Sequence, residues 1–229
     1  MKTITNDKLL ENMAEELYKE WFVRLRFPNY QNTKTVDGIL EGWEESILEK
    51  ECTIIMGQSP KSAFYNEEKE GLPFHQGVSN YGFRFPVNEF WSTDGNRIAK
   101  KGEILFSVRA PVGRLNIANE EIIIGRGLSS INHKNDLNSY LFYHLKNTFY
   151  KDNIIGSGSI FESVTRKDVE NIKILKSNNV INQFNLLAKN IDLEVEKLIL
   201  KNQNLKETRD LLLPRVISGK LDIKDLHIV

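Results

Sequence analysis

The sequence predicts an α+β fold, and three observations carry that expectation. An amphipathic helical stretch lies at the amino end, a middle zone holds short β-like runs separated by turn residues, and the carboxy-terminal zone carries an apolar repeat of helical period. In the first zone, from about Thr5 to Phe27, Thr5, Asn6 and Asp7 offer N-cap oxygens. Leu10, Ala14, Leu17 and Trp21 then recur in steps of four and three, which makes one apolar stripe, with Glu11, Glu15, Glu16, Lys19 and Glu20 on the other faces. Pro28 stops this helix, and the polar stretch from Asn29 to Gly42 reads as a linker with a turn at Asp37-Gly38.

The middle zone runs from about Trp43 to Leu175. Ile104 to Val108 predicts a strand, Ala110-Pro111-Val112-Gly113 a turn, Leu115 to Ala118 a second strand and Ile122 to Ile124 a third, together an antiparallel β meander. Ser139 caps a helix over Tyr140 to Phe149, the loop Gly156-Ser157-Gly158-Ser159 follows, and Thr165 opens a short helical turn before a strand at Ile172 to Leu175. The last zone gives the cleanest period. Phe184, Ala188, Ile191, Val195, Leu198, Asn202, Leu205, Arg209 and Leu212 alternate in steps of four and three, the 3.5-residue repeat of a coiled-coil seam. Leu187, Leu193, Ile199 and Leu200 widen the apolar face. A helix of roughly 34 residues is about 50 Å long, more than the short first helix covers, so a second copy of the chain is the expected partner. The interface residues predicted for it are Ile191, Val195, Leu198, Asn202, Leu205 and Leu212, with Asn202 fixing register at some cost in stability. Pro214 is expected to break the helix.

Composition bounds what the chain does. Its 229 residues are 40% apolar and 27% charged, enough for one large domain or two modest ones with a real core. Lys plus Arg total 31 and so do Asp plus Glu, so any site for a polyanion must be a local patch. One cysteine, Cys52, forms no internal disulfide, which fits a reducing compartment; neither a signal peptide nor a membrane-length apolar run is evident, and a cytoplasmic protein is expected.

Catalytic motifs are lacking: no G-x-x-x-x-G-K-[ST] loop, no G-x-S-x-G elbow, and no metal-ligand spacing among His75, His133, His144 and His227. Glu67-Glu68-Lys69 matches only half of a metal-dependent nuclease core. No catalytic or metal residue is therefore assigned, and no cofactor is expected in the chain. Binding chemistry is better represented. Arg84, Arg97, Lys100, Lys101, Arg109, Arg114, Arg126 and Lys134 fall in one stretch, several of them at strand ends or turns. Arginine forks grip phosphate or guanine, and Gln or Asn side chains match adenine, so Gln58, Gln76 and Asn80 join the candidates.

Gly102 to Gly113, followed by Ile124-Gly125-Arg126-Gly127-Leu128, resembles the target recognition domain of type I restriction-modification specificity subunits. Met56-Gly57-Gln58-Ser59-Pro60, Tyr65-Asn66 and Gly71 to Gly77 are similar to that family's first loop region. Gly156 to Phe161 and Leu213 to Leu221 continue the resemblance, and Glu15 to Phe27 is similar to the helix that precedes a recognition domain. Full-length members carry two recognition domains and two helical spacers, so this chain resembles a half subunit. The resemblance implies three parts: an amino-terminal spacer helix in residues 1–30, a recognition domain in 31–176, and a helix for dimerisation and docking in 177–229.

It further implies a non-catalytic reader of double-stranded DNA. Such a reader recruits a methyltransferase subunit that uses S-adenosylmethionine to methylate adenine N6, and in some systems a restriction/translocase subunit that uses ATP and magnesium. Two copies about a two-fold axis imply a bipartite, palindromic target. The residues expected at the DNA are Gln58, Ser59, Lys61, Tyr65, Gln76, Asn80, Tyr81, Arg84, Arg109, Arg114 and Arg126, with Ser157 and Ser159 as phosphate contacts. Arg109 has an equal alternative, pairing with Glu103 or holding its turn. The rival readings are a coiled-coil adaptor with a protein-binding middle domain, a silent recognition cassette, and an autonomous nuclease.

Overall fold

The computed structural model describes residues 5–36, 39–149 and 163–219. Helix α1 (Asn6–Tyr18) follows Thr5 and passes into a π-helical turn over Lys19–Val23. Its buried stripe is Asp7, Glu11, Ala14, Tyr18 and Trp21, one residue round from the predicted one, with Leu10 and Leu17 half-buried beside it. The shift has a cause: Glu11, expected on the outer face, faces two cations inside the protein, described below. Strands β1 (Thr35–Val36) and β2 (Ile39–Leu40) pair antiparallel across the predicted turn, whose residues 37–38 lie outside the described ones.

Two larger sheets follow. The first contains β4 (Cys52–Met56), β9 (Ile104–Ser107), β10 (Leu115–Ile117) and β12 (Leu128–His133), antiparallel throughout in the order β10-β9-β12-β4. Alternation along β9 decides its two environments. Ile104 and Phe106 enter the main core beneath the helices, while Leu105 enters a smaller core with Ala99, Ala118, Ile122, Ile124 and Leu128. The second sheet contains β5 (Tyr65–Asn66), β6 (Leu72–His75), β7 (Trp91–Ser92), β8 (Ile98–Ala99) and β11 (Ile122–Ile124), in the order β5-β7-β6-β11-β8.

The predicted meander is thus a hairpin, β9-β10, whose expected third strand crosses to the other sheet. There β11 runs parallel to β6 and antiparallel to β8. Three consecutive isoleucines, all buried, suit a strand covered on both faces better than a hairpin edge. Strand β12 has no alternating apolar signal, because Ser129 and Ser130 stand in it. Their hydroxyls are satisfied inside the fold, donating to the Phe106 carbonyl (3.5 Å) and the Glu103 carboxylate (2.5 Å), so the strand sits buried between β9 and β4.

Around this core, α2 (Leu48–Glu51) links β3 (Glu45–Ile47) to β4, and β3 pairs with β13 (Lys173–Leu175). Helix α3 (Asn138–Phe149) begins one residue before the predicted cap at Ser139. Helix α4 (Arg166–Glu170) begins at Thr165 as read, with a capping box between Thr165 and Asp168. Helix α5 (Asn179–Ile217) is capped by the Asn178 side chain, which accepts from Ile181 N at 2.9 Å. Its 39 residues make about 58 Å at 1.5 Å per residue. Pro214 lies inside it rather than ending it, because only the last turn follows and the single backbone bond lost there is at an exposed helix end.

The apolar seam of α5 divides in two. Phe184 and Ala188 are fully buried in the main core, against α1 and α3, and Val195 is fully buried further along the helix. Phe184 makes edge contacts with Tyr18, Trp21, Phe22, Tyr140 and Tyr143, with ring centroids 5.2–6.4 Å apart. Asn185 on the same helix bonds Tyr140 N and the Asp136 carbonyl, tying α5 to the start of α3. Val195 therefore cannot belong to an interface with a second copy, and Ile191 is half-buried against the same core. Beyond it the helix projects. Asn202 and Leu205 are exposed, Leu198 and Leu212 half-exposed, and Leu200, Leu211, Leu213 and Ile217 are 50–77% accessible.

Two buried histidines give the fold an expected pH dependence. His75 in β6 is held below the ordinary histidine pKa by burial, against the opposing pull of its bond to Asn88 Oδ1 and of Glu120 and Glu89. His133 in β12 is lowered by burial too, with Glu51 opposing and Lys134 assisting, and its Nδ1 accepts a bond from Asn135 N. Burial disfavours the charged form of both in the folded chain, so the unfolded chain protonates first. Stability is full above about pH 6.5 and falls as the pH drops below it. Urea midpoints measured from about pH 7 to about pH 5 should fall for the wild type and fall less for the His75→Gln/His133→Gln double variant. Equal slopes would contradict this assignment.

Candidate nucleic-acid interface

Four segments converge where the two sheets meet. Gly57 N donates to the Leu128 carbonyl, Gln58 N to Ile124, Gly125 N to His75, Gly127 N to Gln76 and Val108 N to Gly127, all at 2.8–3.0 Å. The ends of β4, β6, β9 and β11 and the start of β12 are thereby laced into one junction. Such close approach needs residues without side chains. A Cβ on Gly57 would lie 2.1 Å from the Gly125 carbonyl oxygen, and one on Gly127 would lie 2.6 Å from that of Gln76. The glycines of the Met56-Gly57 and Ile124-Gly125-Arg126-Gly127 runs are therefore structural, and they set a rigid base for the polar side chains between them.

Those side chains include several predicted for DNA. Gln58, Gln76, Arg109 and Arg126 are exposed at the junction, with Ser59 half-buried among them. Ser59 Oγ donates to Gln76 Oε1 at 2.6 Å and accepts from Arg126 N at 3.2 Å. The segments Gly57–Lys61, His75–Gly77, Val108–Pro111 and Gly125–Leu128 carry Lys61, Arg109 and Arg126 and no acidic residue. Among the described residues, no carboxylate pairs with the guanidinium of Arg109 or Arg126. Arg109 does not pair with Glu103, whose carboxylate accepts instead from Ser130 Oγ and Lys100 N, while the Arg109 backbone carbonyl accepts from Ser107 Oγ within the turn. Lys61 is exposed next to this group. Tyr65 is half-buried: its ring lies 4.7 Å from that of Phe74, and its hydroxyl donates to the Pro60 carbonyl.

The other candidates lie elsewhere. Asn80 and Tyr81 belong to a loop closed by Tyr81 N to Val78 O, Gly82 N to Phe85 O and Val87 N to Asn80 O. Tyr81 and Arg114 line a cleft shared with Glu11, Phe142 and Lys146. Ser157 and Ser159 lie outside the described residues. Arg84 is a correction. It is 2% exposed, with Nη1 3.1 Å from Glu11 Oε2, Nη2 2.6 Å from Asp192 Oδ1, and its guanidinium 4.5 Å from the Phe142 ring centroid. Lys146 Nζ reaches Glu11 Oε1 at 2.5 Å and Glu15 Oε2 at 3.1 Å, while Tyr143 donates to Asp192. Burial works against the Arg84 charge, yet Asp192, Tyr143 and Glu11 overcome it and hold its pKa above the ordinary arginine value. No DNA phosphate or base can reach this group. Glu11, which the sequence places on an outer face, and Asp192 are the partners that make Arg84 structural, with Lys146 sharing Glu11; an arginine between Phe83 and Phe85 was the only local hint.

Fold and junction together define a recognition module: a rigid sheet edge that holds cationic and amide side chains outward, mounted on a long helix. The chain belongs to the family described as type I restriction modification DNA specificity domain, whose model matches residues 40–175. Over 226 residues it is 33% identical to a protein of Methanocaldococcus jannaschii named as a type I restriction enzyme MjaX specificity subunit, covering 95% of this chain and 52% of that one. Among solved structures, the HsdS subunit from Thermoanaerobacter tengcongensis is 29% identical with a TM-score of 0.61, covering 94% of this chain and 52% of that one. A type I R-M system structure concerned with complex assembly and conformational transition gives 28% identity and a TM-score of 0.59, over 94% and 53% of the two chains. The S subunit from M. genitalium, at 15% identity and a TM-score of 0.64 over 90% and 54%, shares the fold. The chain spans about half the length of these relatives. No helix among the described residues is long and apolar enough to cross a membrane.

Proposed function

We propose that this chain is the sequence-reading component of a type I restriction-modification complex, each copy reading one half of a bipartite site on double-stranded DNA. The observation that carries this reading is the acid-free junction bearing Arg109 and Arg126, within the segment matched by the family model. Exposed guanidinium groups on a stiff sheet edge suit phosphate contact or bidentate contact to guanine. Chemistry comes from partners: a methyltransferase subunit that uses S-adenosylmethionine to methylate adenine N6 and, in a restricting complex, a translocase subunit that uses ATP and magnesium. The projecting part of α5, with Leu198, Asn202, Leu205 and Leu212, joins a second copy and offers a docking surface. Two copies related by a two-fold axis read an interrupted palindrome.

Duplex binding measured across a salt series tests the reading. Affinity should fall steeply with salt as counterions are released, and Arg109→Ala or Arg126→Ala should each weaken binding by about 1–3 kcal/mol if it contacts a base. A base contact relaxes specificity at one position, whereas a phosphate contact weakens all sequences alike. Absence of duplex affinity, with and without the methyltransferase, would favour the protein-adaptor reading instead.

A further inference from the structure

We infer that Gln76 is a specificity-determining residue that acts only as a hydrogen-bond donor, selecting against cytosine at one position of the half-site. The inference rests on the DNA-reading role proposed above and adds a residue and a base preference to it. A free glutamine amide offers both a donor and an acceptor, which is why it suits adenine, whose N6 donates and N7 accepts. Gln76 is not free. Arg126 N has only a proton to give and donates it to Ser59 Oγ at 3.2 Å; Ser59 sends its one hydroxyl proton to Gln76 Oε1 at 2.6 Å. In this structure the relay ends on the amide oxygen, which takes the Ser59 hydroxyl proton. Oε1 also lies against Gly125, where an added Cβ would be only 2.9 Å away, so the carbonyl faces the junction. The side chain is nonetheless exposed, and among the described residues its Nε2 makes no hydrogen bond. What the junction presents outward is therefore an amide NH2 held by two neighbours.

A donor fixed there matches bases with a major-groove acceptor: N7 and O6 of guanine, O4 of thymine, N7 of adenine. Cytosine offers only its N4 donor. Ser59 is then a positioning residue, since without it the amide can rotate and present either end. Gln76→Glu keeps an oxygen for Ser59 to bond and replaces the outward donor with an acceptor.

The experiment is selection of bound sequences from a pool of randomised duplexes, using the full chain with its methyltransferase, for the wild type, Gln76→Glu, Gln76→Ala and Ser59→Ala. The wild type should enrich a motif in which one position disfavours cytosine roughly ten-fold. Gln76→Glu should favour cytosine or adenine there and leave the other positions unchanged. Gln76→Ala should level that position, and Ser59→Ala should shift it toward adenine, read through both ends of the amide. Thermal melting of each variant separates loss of fold from loss of reading. If folded Gln76→Glu and Gln76→Ala both enrich the wild-type motif, the inference is overturned while the DNA-reading role stands. If the wild type enriches no motif, that role fails and takes the inference with it.

Discussion

Replacing Arg84 by alanine is expected to lower the unfolding free energy by about 3–5 kcal/mol, a larger loss than any exposed arginine of this chain should give. The residue connects the loop over β10 to α1 through Glu11 and to α5 through Asp192, with its guanidinium on the Phe142 ring. Its removal leaves a buried Glu11 and a partly buried Asp192 that have lost their shared cation, although Lys146 still reaches Glu11. Uncompensated buried charge dominates the effect, with lost packing added. For a chain of this size the melting temperature should fall by about 6–20 °C, at roughly 2–4 °C per kcal/mol. At a temperature where the variant remains folded, the salt dependence of its duplex binding should match the wild type, because a buried group releases no counterion. A normal melting temperature with a shallower salt dependence would return Arg84 to the DNA surface.

The second large effect is expected at the projecting end of α5. Leu198→Asp with Leu205→Asp should separate the proposed two-copy assembly while leaving the single chain folded. Burial of each leucine at an interface contributes about 1.5–3 kcal/mol, so losing both weakens association by at least a hundred-fold. Burial within the chain stops short of them: Val195 is the last fully buried position on this helix, and Leu205 is 57% exposed. Sedimentation should show two copies for the wild type and one for the double variant, with similar thermal unfolding of the individual chain. A wild type that sediments as one copy, alone and with the methyltransferase, would remove the assembly.

How far the sequence could be read depended on whether a signal was local. Helices α4 and α5 and the β9-β10 hairpin carry their own caps, periods and turns, and they begin within a residue or two of the expected places, although α5 runs four residues past its expected end, through Pro214. Strand β11 was legible as a strand but not in its partner, since the choice between β10 and β6 depends on a parallel crossover that no adjacent residue encodes. Strand β12 was hidden by serines whose hydroxyls find partners only after folding.

The same distinction applies at the site. Gln58, Ser59, Gln76, Arg109 and Arg126 come from separate stretches, and the resemblance gathered them before their geometry was known. Arg84 was misread because its partners lie 73 and 108 positions away in the chain, at Glu11 and Asp192. The α5 seam was correct in period yet divided in use, because periodicity shows that a face is covered and not what covers it.

Sequencing of methylated sites on DNA treated with this chain and its methyltransferase tests the central claim most directly. With this chain as the sole specificity component, the account predicts methylated adenines within a single interrupted palindrome, its gap set by the separation of the two recognition units. Methylation at a motif whose halves are unrelated, or at sites that do not change when this chain is exchanged for another specificity subunit, would contradict it.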